Sequence, residues 1–205
     1  MPRRVLGRTQ QEVSVLALGT WPSGKCRTVD DQAVARIVHE ALDLGVNYVD
    51  AARAYGNAEA GIGEALRKNR DKVFLTSKVW ADTAEEARAS FEESLRILRT
   101  DYVDCLFIHS GGNRDVERVL APGGSLEYLL KQKEAGKTRF LGLSGHSKPM
   151  AFIPLLETGN IDLLMPAMNF VDRHTYGFED KVLPVARKHH CGIACMKVFG
   201  GLKGG

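Results

Sequence analysis

The chain has 205 residues, of which 26% are charged and 44% belong to the hydrophobic set, a mixture that excludes a disordered chain and suits one globular domain. The net charge is only +3, from 28 basic and 25 acidic residues, so a nucleic-acid-binding protein with a dominant cationic surface is excluded. No apolar run reaches membrane-spanning length and no secretory apolar core follows the N-terminus, so we expect a cytoplasmic protein that contacts neither membrane nor nucleic acid.

Seven short apolar segments, spaced along the whole chain, predict β-strands. In chain order they cover residues 15–18, 46–49, 73–76, 103–108, 140–143, 161–165 and 193–196. Because nearly every residue in them is apolar, we expect burial on both faces, as in a parallel sheet covered by helices. Ahead of them, residues 3–15 contain the turn-forming sequence Gly-Arg-Thr and predict a small hairpin.

Apolar residues at helical spacing separate these strands. The first predicted helix follows Asp30 as its N-cap and places Val34 and Val38 on one face. Another follows Thr83, with Glu86 three residues on, which is the capping-box pattern. Further helices centre on residues 61–66, 126–130, 151–156 and 182–186.

This alternation of strands and helices fits either an open doubly wound sheet or a closed barrel. An open dinucleotide-binding sheet would carry a Gly-x-Gly-x-x-Gly sequence after its first strand, but Leu18 is followed by Gly-Thr-Trp-Pro-Ser-Gly. The partial match at 61–66 lacks the third glycine and follows a long loop. The pattern therefore favours a (β/α)8 barrel of the TIM type, with the N-terminal hairpin closing its floor.

Polar residues follow five of the predicted strands, at the edge where a barrel has its active face. They are Asp50, Lys78, His109, Ser144 and Asn169. Any one of these polar residues alone needs no functional explanation, because the ends of strands are usually exposed to water. An acid, a base and an imidazole that continue strongly apolar strands together predict a chemical site.

A lysine that continues a buried strand needs a carboxylate nearby, and Asp50 is the candidate partner of Lys78. Tyr55 lies five residues after Asp50, in a loop that can fold over the barrel mouth. The ordinary pKa of a tyrosine is about 10, and a nearby ammonium group would lower that pKa toward working pH. The residues therefore predict that Tyr55 is a general acid.

Four segments of the chain resemble motifs of the aldo-keto reductase superfamily. They are LGTW at 18–21, LGVNYVDAA at 44–52 followed by Tyr55, Gly56 and Glu59, DYVDCLFIH at 101–109, and GKTRFLGLS at 136–144. The resemblance runs from about Val5 to Gly201, which is almost the full chain.

The resemblance implies an NADP(H)-dependent oxidoreductase that reduces a small-molecule aldehyde or ketone by hydride transfer. Tyr55 would then protonate the carbonyl oxygen as the general acid. Lys78, held by Asp50, would lower the pKa of that tyrosine. His109 would orient and polarise the carbonyl group.

The resemblance also implies contacts to the cofactor and the substrate. They are expected at Ser144 and Asn169 for the carboxamide, Thr20 and Asp50 for the ribose, Met196 for the nicotinamide ring, and Trp21 and Trp80 for the substrate.

Three positions depart from the family pattern. Gly145 stands where an asparagine is usual, Asn169 replaces the commoner glutamine, and Met196 stands where many members stack an aromatic ring on the nicotinamide. Gly145, Met196 and the missing C-terminal segment leave a second function open, namely a non-catalytic NADP(H)-binding redox sensor or regulatory subunit on the same barrel.

The end of the sequence limits what can be expected of the barrel. Residues 1–205 should form one barrel domain truncated after the seventh strand, without the eighth strand and the segment that grips the cofactor 2′-phosphate. We expect a fragment rather than a short form completed by another chain, and the preference for NADP over NAD rests on the resemblance. The glycine-rich stretch 200–205 lacks the Gly-Lys-Ser/Thr of a phosphate-binding loop and predicts an ordinary loop.

The cysteines predict neither a disulfide framework nor a metal site. There are four, at Cys26, Cys105, Cys191 and Cys195, which is too few for a disulfide scaffold. The run His-His-Cys at 189–191 and Cys195 could be taken as metal ligands. On one strand, however, the two cysteines would lie about 13 Å apart, at roughly 3.3 Å per residue, which is too far for a shared metal.

Overall fold

A computed structural model describes residues 1–26 and 29–199 of the chain. The chain begins with the predicted antiparallel hairpin, formed by β1 (Arg3–Val5) and β2 (Glu12–Ser14). Leu6 and Val13 of this hairpin are buried in the apolar cluster inside the barrel. The hairpin therefore closes the barrel floor, as the sequence predicts. The glycine-rich stretch 200–205 lies outside the described residues.

Seven parallel strands follow, and each pairs with the next one along the chain. They are β3 (Leu18–Gly19), β4 (Tyr48–Asp50), β5 (Phe74–Val79), β6 (Val103–Ile108), β7 (Thr138–Gly145), β8 (Leu163–Pro166) and β9 (Gly192–Ile193). This sequential order is that of a (β/α)8 barrel, and the described residues form its curled, seven-stranded part. The predicted barrel truncated after the seventh strand is confirmed.

Two strands are displaced from their predicted positions. Only Leu18 and Gly19 of the first barrel strand pair with β4, because the amide of Val15 donates to Pro2 O (3.0 Å) and belongs to the end of the hairpin. In the last strand, pairing at 192–193 is followed by a separate bridge between Met196 and Ala167. Apolar content alone does not distinguish paired residues from neighbours that only pack.

Helices connect the strands and cover the outside of the sheet. They are α1 (Trp21–Lys25), α2 (Asp31–Asp43), α3 (Ala58–Ala65), α4 (Ala84–Leu98), α5 (Val116–Leu120), α6 (Ser125–Glu134), α7 (Phe152–Glu157), α8 (Asp172–Thr175), α9 (Phe178–Lys181) and α10 (Leu183–Lys188). Within the described part of the chain, no helix has the length and apolar character needed to cross a bilayer.

The predicted helix starts are confirmed in atomic detail. The Asp30 side chain accepts from the amide of Ala33 (2.7 Å) at the start of α2. At the start of α4, Thr83 Oγ1 accepts from the amide of Glu86 and Glu86 Oε2 accepts from the amide of Thr83, which completes the capping box. These bonds satisfy backbone donors that a helix leaves unpaired.

Two apolar layers hold the barrel together. The inner layer fills the space enclosed by the strands, and the outer layer lies between strands and helices. The inner layer consists of Leu6, Val13, Tyr48, Phe74, Cys105, Phe107, Leu163 and Met165. Strands β4, β5, β6 and β8 are buried along their whole length, which explains their nearly continuous apolar sequence.

Two buried carboxylates fasten the amino-terminal ends of the strands. Asp104 on β6 accepts from the amide of Leu75 (2.9 Å) and pairs with the guanidinium groups of Arg70 (2.8 Å) and Arg139 (2.7 Å). Each cation comes from a neighbouring part of the barrel, so the carboxylate joins three chain segments.

Asp162, directly before β8, has the same arrangement. It accepts from the amide of Leu141 (2.9 Å) and pairs with Arg8 (2.8 Å) and Lys133 (2.7 Å). Through Arg8 the hairpin is attached to the sheet.

Candidate active site

A buried ion pair lies at the carboxyl ends of β4 and β5. The register places Asp50 opposite Thr76, so that Lys78 lies two residues further along the neighbouring strand. Lys78 Nζ donates to Asp50 Oδ1 (2.5 Å) and to Ala51 O (2.7 Å), and Thr76 Oγ1 donates to the same carboxylate oxygen (2.7 Å). The structure thus brings Asp50 and Lys78 together, in surroundings that exclude water.

Tyr55 stands beside this pair. The loop that carries it connects β4 to α3, and Lys78 Nζ lies 4.9 Å from the centroid of the tyrosine ring. Two glycines allow α1 to pack directly on this loop: a Cβ added at Gly24 would lie 1.9 Å from Tyr55 O, and one at Gly56 would lie 2.0 Å from Gly24 O. The close backbone packing fixes the position of the phenol.

His109 completes the group from the end of β6. Its ring makes edge contacts with Tyr55 (centroids 5.8 Å apart) and with Trp80 (5.3 Å). Its backbone amide donates to Val79 O (2.9 Å), which ties it to β5. Within the described residues, the buried Nδ1 atom of His109 has no hydrogen-bond partner.

The electrostatics of the site keep the imidazole neutral. Burial lowers the pKa of His109 to about 3, and the positive charges of Lys78, His146 and Arg114 act in the same direction. A neutral imidazole can exchange hydrogen bonds with a polar substrate without adding a charge.

The expected lowering of the tyrosine pKa is wrong for this structure. Burial raises the pKa of Tyr55 above its ordinary value, and the Asp50 carboxylate raises it further. The pKa of Lys78 is itself lowered by burial, although Asp50 opposes that shift. Burial is the larger of the two causes that raise the pKa of Tyr55. Tyr55 therefore keeps its proton throughout the physiological pH range.

The residues expected around the cofactor lie at the same end of the barrel. Thr20 and Ser144 are buried, and their hydroxyls donate to Asp50 O (2.8 Å) and Ile108 O (3.4 Å) respectively. The Asn169 amide joins two loops, since Nδ2 donates to Lys197 O (3.2 Å) and Oδ1 accepts from the amide of Val171 (2.9 Å).

Met196 is placed next to this group by its bridge to Ala167, whose amide donates to Gly145 O (3.0 Å). The glycine at 145, a departure from the family pattern, has a packing reason. A Cβ added there would lie 2.6 Å from Phe152 Cζ and 3.3 Å from the amide nitrogen of Gly111.

The two tryptophans differ in their surroundings. Trp21 is 49% exposed at the start of α1, next to Thr20. Trp80 is 51% exposed, and its ring is held between His109 and the guanidinium group of Arg114, whose Cζ lies 4.4 Å from the ring centroid. The Trp80 ring is thus in direct contact with one of the four converging side chains.

Two residues of this neighbourhood were given no role by the sequence analysis, although Glu59 belongs to one of the quoted motifs. Glu59 is fully buried and accepts from Ser77 Oγ and from Arg53 Nη1, both at 2.7 Å. The signal for it was a carboxylate among the small apolar residues of α3. Arg114 follows a glycine-rich turn, and nothing in the sequence distinguishes it from a surface arginine.

The fold and these side chains define a (β/α) barrel with a cluster of titratable side chains at the carboxyl ends of its strands. The sequence model described as "Aldo/keto reductase family" matches residues 15–205. The chain belongs to this family.

Relatives and solved structures agree with this assignment. The chain is 32% identical over 171 residues to the methylglyoxal reductase DkgB of Salmonella typhimurium, a match that covers 81% of this chain and 61% of the relative. A Pseudomonas aeruginosa protein assigned to the aldo-keto reductases is 31% identical, with a TM-score of 0.79 over 95% of this chain and 77% of the other.

An aldo/keto reductase of Klebsiella pneumoniae, solved in complex with NADP and acetate, is 26% identical, with a TM-score of 0.78 over 96% of this chain and 68% of the other. The chain spans less than two thirds of the length of the methylglyoxal reductase it matches.

Proposed function

We propose that the protein reduces small aldehydes or ketones with NADPH, and that residues 1–205 are the barrel domain that carries the catalytic side chains. The observation that carries this proposal is the convergence of Tyr55, His109 and the Asp50–Lys78 pair over one barrel mouth. The family membership of the chain supports it.

Tyr55 is the proton donor in this proposal. NADPH, when bound, would supply the hydride. Because the pKa of the buried phenol is raised, Tyr55 holds its proton until negative charge develops on a carbonyl oxygen beside it. Lys78 Nζ, 4.9 Å from the ring, then stabilises the phenolate that remains.

His109 and Asp50 support this transfer. The imidazole, which stays neutral because burial lowers its pKa, orients the carbonyl group by donating a hydrogen bond to it. Asp50 and the carbonyl of Ala51 hold the ammonium group of Lys78 in place.

The residues present fit a nicotinamide cofactor. The hydroxyls of Thr20 and Ser144 donate to main-chain carbonyls, so their oxygens remain acceptors for cofactor hydroxyl or amide groups. Asn169, Met196 and Asp50 lie at the same barrel end, and Trp21 and Trp80 are the half-exposed aromatic residues that would face the substrate. The solved complex of the Klebsiella relative with NADP supports this choice of cofactor.

Loss of NADPH absorbance with methylglyoxal and a panel of aldehydes, ketones and sugars tests the proposal. Methylglyoxal comes first because the relative DkgB is a methylglyoxal reductase. We expect turnover with at least one small dicarbonyl or aldehyde. NADP(H) binding without turnover on the whole panel would instead favour the non-catalytic redox sensor or regulatory subunit.

A further inference from the structure

Trp80 is held in place by contacts on two sides. It follows β5 directly, where a half-exposed indole has freedom to rotate. The edge of its ring meets His109 at a centroid distance of 5.3 Å and an interplanar angle of 74°. The guanidinium carbon of Arg114 lies 4.4 Å from the centroid of the same ring. A planar guanidinium over an indole is a favourable cation–π arrangement.

Arg114 is itself rigidly placed. Its side chain is only 8% exposed, and Nη1 lies 3.3 Å from Asp82 Oδ1. Within the described residues, its buried Nε has no hydrogen-bond partner. A long side chain buried in this way has little rotamer freedom, so its guanidinium group stays in one position.

The backbone that carries Arg114 is equally fixed. Its amide donates to Gly111 O (3.2 Å), which closes the turn after β6. A Cβ added at Gly112 would lie 2.0 Å from Ser147 O, so this turn packs against the loop after β7 without room for a side chain. The loop after β7 therefore packs against the turn that carries Arg114, and Arg114 in turn contacts Trp80 in the loop after β5.

We propose that Arg114 is a positioning residue that holds the Trp80 ring against His109 and thereby sets the size of carbonyl substrate the site accepts. This inference rests on the proposed function. With Arg114 in place, Trp80 is a fixed wall of the pocket beside His109. Without it, the indole rotates away, and bulky carbonyl compounds gain access while small ones lose a contact.

The motion of Trp80 can be measured without substrate or cofactor. The chain has two tryptophans, so Trp21→Phe leaves Trp80 as the single indole probe. In that background we expect Arg114→Met to at least double the amplitude of the fast component in time-resolved tryptophan anisotropy. Asp82→Asn should give a smaller increase in this amplitude. Arg118 is an exposed arginine on α5, so Arg118→Met should give no increase.

Selectivity is measured in the chain that retains Trp21. We expect Arg114→Met to raise the ratio of kcat/KM for 4-nitrobenzaldehyde to that for methylglyoxal at least fivefold. The change for methylglyoxal should lie in KM, because Tyr55 and His109 remain in place. Arg114→Lys retains the charge without the planar group, so its ratio of kcat/KM values should lie between those of the parent and Arg114→Met. Arg114→Lys also serves as the test variant if Arg114→Met does not fold.

Each result decides the inference. Unchanged anisotropy in the Arg114 variants overturns it, and so does increased motion with an unchanged substrate ratio. If even the parent protein turns over no carbonyl compound, the proposed function fails, and the anisotropy alone then decides whether Arg114 positions Trp80.

Discussion

The two ends of the barrel hold buried charge in different ways. At the amino end, Asp104 and Asp162 each accept from one backbone amide and pair with two cations. At the carboxyl end, Asp50 has one cation, and the buried Nδ1 of His109 has no hydrogen-bond partner within the described residues. A buried carboxylate that pairs with two cations stabilises a fold, whereas a buried imidazole nitrogen without a partner, at the end of the barrel where active sites lie, can bind a ligand. The comparison assigns stability to one end and chemistry to the other.

The largest stability effect is expected at the amino end. Asp104→Ala leaves two guanidinium groups and the amide of Leu75 without their common acceptor, and loss of such a buried partner costs about 3–5 kcal/mol of unfolding free energy. Urea unfolding measures this loss, while turnover per folded molecule should stay at the parent value.

Glu93→Ala is the matched control for that variant. Glu93 pairs with Arg96 on the exposed face of α4, where solvent screens the ion pair and its loss should leave the unfolding free energy almost unchanged. Equal losses of unfolding free energy in Asp104→Ala and Glu93→Ala would contradict the structural role of the amino end.

The buried imidazole at the carboxyl end should make the unfolding free energy depend on pH. Because the pKa of His109 is lowered from 6.5 to about 3, the unfolded chain binds a proton below pH 6.5 that the folded chain does not. Stability is therefore lost as the pH falls from 6.5 toward 3, by about 3 kcal/mol at pH 4.5. His109→Asn should lack this part of the loss when urea unfolding is compared at pH 7.5 and pH 4.5. An identical pH dependence in both proteins would show that the imidazole is not buried as a neutral group.

A smaller effect is expected where the loops of the carboxyl end meet. Gly112→Ala places a Cβ against Ser147 O, and overpacking of this kind costs about 1–3 kcal/mol. Gly19→Ala is the control, since a Cβ there meets nothing within 4 Å. Thermal unfolding measures the difference in stability between the two variants. Equal stability would show that the loops after β6 and β7 are loosely packed.

Much of the fold could be predicted from the sequence because its signals are local. The capping box at Thr83 and the strand order follow from residues close together in the chain. The position of β3 could not be predicted, since Val15 is as apolar as Leu18 and only pairing partners distinguish them.

The site was predictable in its members but not in its electrostatics. Polar residues after apolar strands identify Asp50, Lys78 and His109. The pKa of Tyr55 is raised by burial and by the charge of Asp50, and the extent of neither is visible in the sequence. Arg114 carries no motif, and its role follows only from the contact it makes with Trp80.

The most direct test of the central claim compares two tyrosines, one at each end of the barrel. Tyr55 lies beside Lys78, and Tyr102 stacks under Arg70 near the amino ends of the strands. We expect Tyr55→Phe to lower kcat for methylglyoxal by about 10²–10⁴-fold with NADPH affinity nearly unchanged, because the variant loses only the transferable proton. Tyr102→Phe should keep the parent kcat. Full turnover by Tyr55→Phe would contradict the assignment of the proton donor and with it the account of the carboxyl end.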